Sequence, residues 1–289
     1  MLGRVAGLSI IPRIVRAYPS SHFGTCALHP TRCRNERSGS AVRELSKLSL
    51  GLSRDLLQLQ DIFGTNRFCA KRQAGLAALV ERDPYRIAPY LSKQFYSPNY
   101  DIRVRLDILD VLVTGARSLA LLRQSCRLTP AGANRWTPGG VVVCQSTPKT
   151  CFYFNHYAVL FISPLVTQKG TPLDLNPILL ARVVGALGIF CELARTERCF
   201  PSKLRILVDT VLWPARCHFE AGVRRAVLHT LFRIFSSLSS IHLSAVCKEF
   251  MVGGVQFCTL KAWLCATLAN DSDAECRAVS AQLLHLWHE

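Results

Sequence analysis

The chain has 289 residues, 49% of them apolar and 19% charged, which excludes a disordered polymer and leaves room for one large or two small cores. Its net charge of +16, from 35 Lys and Arg against 19 Asp and Glu, suits a protein that faces polyanions. No Lys/Arg run is interleaved with aromatics, which excludes a single-strand stacking platform.

Residues 1–43 hold seven Arg and one acid, Glu36. Arg4, Arg13, Arg16 and Arg32, with several Ser and no acid over 1–32, have the composition of a mitochondrial presequence. A basic amphipathic helix explains them as well. His22, Cys26, His29 and Cys33 are zinc-type ligands, but too little chain separates them to fold around an ion, and 20–40 reads as a disordered insertion. The 13 Cys contain no CxxC pair and recur in apolar helical patterns such as "GIFCELA". They read as free core thiols of a reducing compartment.

Few segments alternate with period two, so the expected fold is all-α. Val42, Leu45, Leu48, Leu52, Leu56 and Leu59 predict a helix over 41–60. A second helix runs from Asn66 through Val80. Asp83-Pro84 reads as N-cap and first-turn proline of a helix ending near Tyr96. Ser97 or Asn99 is then expected to cap the stretch 101–120. Residues 122–153 are rich in Pro, Gly, Thr and Ser and read as a flexible linker, in which "VVVC" could form a stray strand. Further helices are expected near 154–163, 175–195, 202–213, 219–239, 241–251, 254–269 and 273–288. Ser272 and Glu275 have capping-box spacing, although the acids beside Ser272 also suit an acid-directed kinase. The most apolar stretch, 177–194, carries Arg182 and Glu192 and reads as a buried helix, not a membrane span.

Helix after helix with short connections fits an α-solenoid of HEAT-like antiparallel pairs, in which each pair depends on its neighbours. The predicted division is a helical domain over 1–121, the linker at 122–153 and helical repeats over 154–289.

The stretch "DIRVRLDILDVL" (101–112) repays winding at roughly 100° per residue. Arg103, Asp107, Asp110, Thr114, Arg117 and Ser118 fall on one stripe, and nearly everything else is apolar. Asp107 and Asp110 could form a catalytic pair, but neighbouring cations lower carboxylate pKa values whereas a general acid needs a raised one. A salt-bridged stripe with Arg103 is the expectation. Arg105 lies on the apolar side with Leu109, Leu112 and Ala116. It must be paired or snorkel, and Asp101, four residues earlier, is the local candidate for an ion pair.

These residues resemble the telomere-length-regulation protein family. The resemblance rests on Tyr90-Leu91, Gln94-Phe95-Tyr96, Asn99-Tyr100 and the run from Arg103 to Leu112. It continues through "FNHYAVLFISPL", through "FEAGVRRAVLHTLFRIFSSL" with its Val223-Arg224, and through the acidic cluster before Cys276-Arg277. Gly115 to Leu119 departs from the family's A-A-x-E-L, and Phe161-Ile162-Ser163-Pro164 from its F-F-F-P. The chain is similar to the C-terminal part of such a protein, as a truncated or a divergent short form. "IVRAYP", near the N-terminus, resembles the end of a family helix, which weighs against the presequence.

The resemblance implies a non-enzymatic scaffold of a Tel–Tti co-chaperone complex, cytoplasmic and nuclear. Its implied partners are Tti-type solenoid subunits, the heat-shock chaperone machinery and phosphoinositide-kinase-like kinases. Arg103, Asp107, Asp110 and Arg117 become the candidate interaction stripe. No cofactor, metal, small-molecule substrate or membrane is expected. No G-x-S-x-G, P-loop, G-x-G-x-x-G or Cys–His–Asn constellation occurs, so nothing points to an enzyme. The alternatives are a helical protein that binds nucleic acid weakly, prompted by the charge, and a mitochondrial helical protein.

Overall fold

Ser49 and Ser53 lie in the buried face of the first helix, α1 (residues 48–58), while Leu48, expected inside, is exposed. Small hydroxyls are tolerated in such a contact when bonded. Ser53 donates to the Ser49 carbonyl at 2.8 Å, and Ser49 donates to the Asp83 carboxylate at 3.2 Å. The structure, a computed structural model, describes residues 48–121, 153–167, 172–194, 200–238, 246 and 257–286. The candidate zinc ligands, the presequence-like stretch, the 20–40 insertion, "VVVC" and nearly all of the 241–251 helix lie outside these.

The other helices follow closely where the periodicity put them. They are α2 (Phe68–Arg82), α3 (Pro84–Phe95), α4 (Ile102–Leu121), α5 (Tyr153–Thr167), α6 (Pro177–Ala194), α7 (Phe200–Ala215), α8 (Ala221–Ser237), α9 (Phe257–Asn270) and α10 (Ala274–Leu286). Among the described residues there is no strand, and the protein is all-α.

Three starts differ from expectation. Asp83 precedes Pro84, but its side chain makes no cap bond; the carboxylate turns to Ser49 instead. Neither Ser97 nor Asn99 caps α4. Asp101 does, accepting the Val104 N–H at 2.8 Å. At α10 the cap is Asp273, which accepts the Cys276 N–H at 3.0 Å, and Glu275 faces α8. In the last two cases an aspartate one or more positions from the predicted cap reaches an orphan N–H of the first turn.

Helices α2, α4, α6, α8 and α10 touch in that order, each packing on the next, and α3 touches α5 alongside them. Every-second-helix contact is the pattern that stacked helix pairs produce. The centre of the row is α6, which packs on α4, α5 and α8. By length and composition α6 could cross a membrane; here Leu180, Val183, Val184, Leu187 and Phe190 are fully buried among helices. Phe154 and Phe161 of α5 lie 5.2 Å apart, and Phe190 completes the cluster at 5.4 Å from Phe161.

Two glycines set how closely the row packs. A Cβ on Gly115 would sit 2.5 Å from Val80 Cγ1 of α2, and one on Gly188 would sit 2.8 Å from Thr230 Oγ1 of α8. Thr230 donates across that contact to the Val184 carbonyl at 3.0 Å. Alanine is the better helix former by about 1 kcal/mol, yet Gly115→Ala is expected to destabilise by about 1–3 kcal/mol through overpacking. Urea unfolding checks the sign. Pairing it with Val80→Ala should recover most of the loss.

In α7, residues Val208–Leu212 form a π-turn in which the Trp213 N–H bonds the Val208 carbonyl. Pro214 follows, has no N–H, and its ring displaces the Thr210 carbonyl, which accounts for the widened turn. The Trp213 ring then meets Trp263 of α9 edge-on at 6.2 Å and is covered by Arg216 at 3.8 Å.

Candidate interaction surface

The predicted stripe on α4 exists, but its members separate. Ile108, Leu109, Val111, Leu112, Gly115, Ala116 and Leu119 are buried, while Arg103, Asp110, Thr114 and Arg117 are exposed. Asp107 does not join Arg103. It pairs with Arg72 of α2 and accepts Gln73 Nε2 at 2.9 Å. A carboxylate with a guanidinium on one side and an amide donor on the other is a helix-to-helix tie. Arg103 has no side-chain hydrogen bond or ion pair among the described residues.

The predicted Asp101–Arg105 ion pair gives way to other partners. Arg105 donates to the carbonyls of Tyr100 and Ser97 at 2.9 and 3.0 Å, and Asp101 is occupied as the cap of α4. The guanidinium thus closes the α3–α4 turn, satisfying carbonyls that the end of α3 leaves open. Tyr96 makes the other tie. Its hydroxyl donates to the Leu165 carbonyl in the last turn of α5 at 2.6 Å, and burial raises its pKa well above the ordinary phenol value.

Two surfaces flank this framework. One is a cleft of about 610 Å³ between α1, α2 and the α3–α4 turn, lined by Arg54, Gln58, Tyr90, Gln94, Asn99 and Tyr100 among others. Burial raises the Tyr100 pKa, the nearby Tyr90 adds to it and Arg54 opposes it. The other is a groove of about 350 Å³ across α4, α6 and α8. Asp110 and Arg117 line it together with Arg182, His229 and Arg233, over a floor that includes Leu109, Gly185 and Ile189. Arg233 is held by Glu192 at 2.8 Å, and His229 by Glu275 at 2.8 Å. The structure therefore brings two of the four stripe residues, Asp110 and Arg117, to a shared groove. Arg182 went unnoticed as a surface residue in the sequence. Its signal was there, as the one cation of α6.

At the α8–α10 junction, Arg224 grips Asp271 with both ends of its fork, at 2.8 Å each, and donates to the carbonyls of His218 and Phe219 at 2.9 Å. The Arg224 hydrogen bonds hold the Asp271 carboxyl below the usual aspartate range against the opposing effect of burial. A depressed carboxylate stabilises the fold above the unfolded-state pKa of about 4, and that contribution disappears as pH falls through the native value. Asp271→Asn is therefore expected to lower stability by about 2 kcal/mol at neutral pH. The gap in Tm between variant and wild type should shrink on acidification below pH about 4. A gap independent of pH would contradict this.

Among the described residues, no three His, Cys, Asp or Glu side chains gather as a metal site, and the described cysteines are free thiols. Burial pushes the Cys191 thiol up to about 12, so it behaves as a small apolar group. The fold and these surfaces define an all-α protein whose polar features are spread along helix faces and turns.

A family model described as telomere length regulation protein matches residues 34–116. The telomere length regulation protein TEL2 homolog of Mus musculus is 29% identical over 292 residues, covering 86% of this chain and 33% of the relative. The Homo sapiens and Xenopus tropicalis homologs are each 27% identical, over 86% and 83% of this chain. The chain is similar to members of the telomere length regulation protein family over most of its length, and it spans about a third of the length of the curated relatives it matches. No solved structure matches it.

Proposed function

We propose that the chain acts as a non-enzymatic scaffold in a Tel–Tti co-chaperone assembly, working in cytoplasm and nucleus on phosphoinositide-kinase-like kinases with Tti-type subunits and the heat-shock chaperone machinery. The observation that carries this reading is the family match, and the row of helices supports it physically. Stacked helices offer large partners an extended face, such as the groove over α4, α6 and α8, instead of one enclosed pocket. Affinity purification of the 289-residue chain followed by mass spectrometry tests it. Recovery of Tti-type subunits and a large kinase is the expected result; recovery of neither sinks the assignment.

A second reading, a telomere-associated nucleic-acid binder, draws on the +16 charge and on cations such as Arg103, Arg117 and Arg182 that lack ion pairs among the described residues. It requires DNA affinity that falls steeply with salt, since each neutralised phosphate releases counterions. Weak binding with a shallow slope, alongside recovered Tti-type partners, excludes it.

A further inference from the structure

We infer that the cleft between α1 and the α3–α4 turn binds an extended peptide segment carrying one acidic side chain, with Gln58, Gln94 and Asn99 taking its peptide groups and Arg54 its carboxylate. The inference rests on the scaffold reading and supplies it with a local mode of recognition.

The residues that carry the family resemblance divide into two sets. Leu91 and Phe95 are buried in the core, Tyr96 ties α3 to α5, Arg105 closes its turn, and Asp107 holds Arg72. The fold absorbs all of these. Tyr90, Gln94, Asn99 and Tyr100 are different. They line one cleft with Gln58 and Arg54, and their side-chain polar ends make no hydrogen bond to the described protein. About 610 Å³ lies within the usual range for ligand sites.

The chemistry of the lining selects the occupant. A carboxamide offers a donor and an acceptor together, which matches the N–H and C=O of an extended backbone. Gln58, Gln94 and Asn99 present three such groups, and the hydroxyls of Tyr90 and Tyr100 add adaptable partners. The charge count then excludes polyanions. Arg72 is neutralised by Asp107, and Asp101 contributes a negative charge to the wall, leaving Arg54 as the lining cation without a bonded partner. Nucleic acid and phosphorylated groups call for several cations, whereas a single carboxylate calls for one.

The test uses the full 289-residue chain and fluorescein-labelled, end-capped octapeptide pools with Glu, Gln or phosphoserine fixed at a central position, read by fluorescence anisotropy. The Glu pool should bind about tenfold more tightly than the Gln pool, a difference of about 1.4 kcal/mol. Arg54→Gln should reduce the Glu pool to the level of the Gln pool and leave the latter unchanged. Asn99→Ala should weaken both pools alike. Arg54 and Asn99 are exposed, so both variants should melt as the wild type does. No binding by any pool, a Glu preference that survives Arg54→Gln, or a phosphoserine pool that outcompetes Glu overturns the inference. Tti-type subunits still recovered with Arg54→Gln would leave the scaffold reading standing while the peptide site fails. Peptide binding by a chain that recovers no Tti-type subunit has the opposite meaning.

Discussion

Phe190→Ala is expected to lower the stability of the protein by about 3–5 kcal/mol, the cost of a large cavity in a packed core. Phe190 is fully buried in α6 and closes the cluster with Phe154 and Phe161 of α5. Since α6 touches α4, α5 and α8, a void there loosens the contacts of three neighbours at once. Domains hold only about 5–15 kcal/mol in total, so the variant should show a much lower urea midpoint and expose fluorescent-dye-binding surface. Ile178→Ala, on the exposed side of the same helix, is the control, expected within about 0.5 kcal/mol of wild type. Equal effects of the two changes would contradict the central placement of α6.

Asp107→Ala should cost about 2–3 kcal/mol, because it leaves the Arg72 guanidinium without its counterion in a position only 11% exposed. Gln73 loses its acceptor as well. The double change Arg72→Met with Asp107→Leu removes both charges and should recover most of the loss, as replacing buried ion pairs by apolar groups commonly does. The cycle of urea midpoints for Arg72→Met, Asp107→Leu and the double isolates the coupling. A double variant as unstable as the sum of the singles would contradict the pairing.

On α4 the helical period alone set which side chains are buried. Winding the sequence placed Leu109, Leu112 and Ala116 inside and Arg103, Asp110 and Arg117 outside, and the structure agrees, because a helical period follows from the chain alone. The partner of Asp107 was not legible. Arg72 stands 35 residues earlier, and which cation a carboxylate meets across a helix contact depends on tertiary packing. Arg105 failed for a different reason. Asp101 could serve as a counterion or as a cap, and the orphan N–H of the first turn won it. The cleft was hidden for the same tertiary reason. Its signature residues were visible as a family motif, but only α1, arriving with Arg54 and Gln58, turns them into the wall of a site.

The Tyr96 bond to Leu165 has a consequence for how the chain can be cut. It joins a side chain to a backbone carbonyl 69 positions away, and α3, α4, α5 and α6 meet across the same boundary. The two stretches on either side of 122–152 are therefore held together by side-chain contacts as well as by covalent continuity. Two separately expressed polypeptides, 1–121 and 122–289, should reassociate as complementing fragments, and Tyr96→Phe should slow that reassembly.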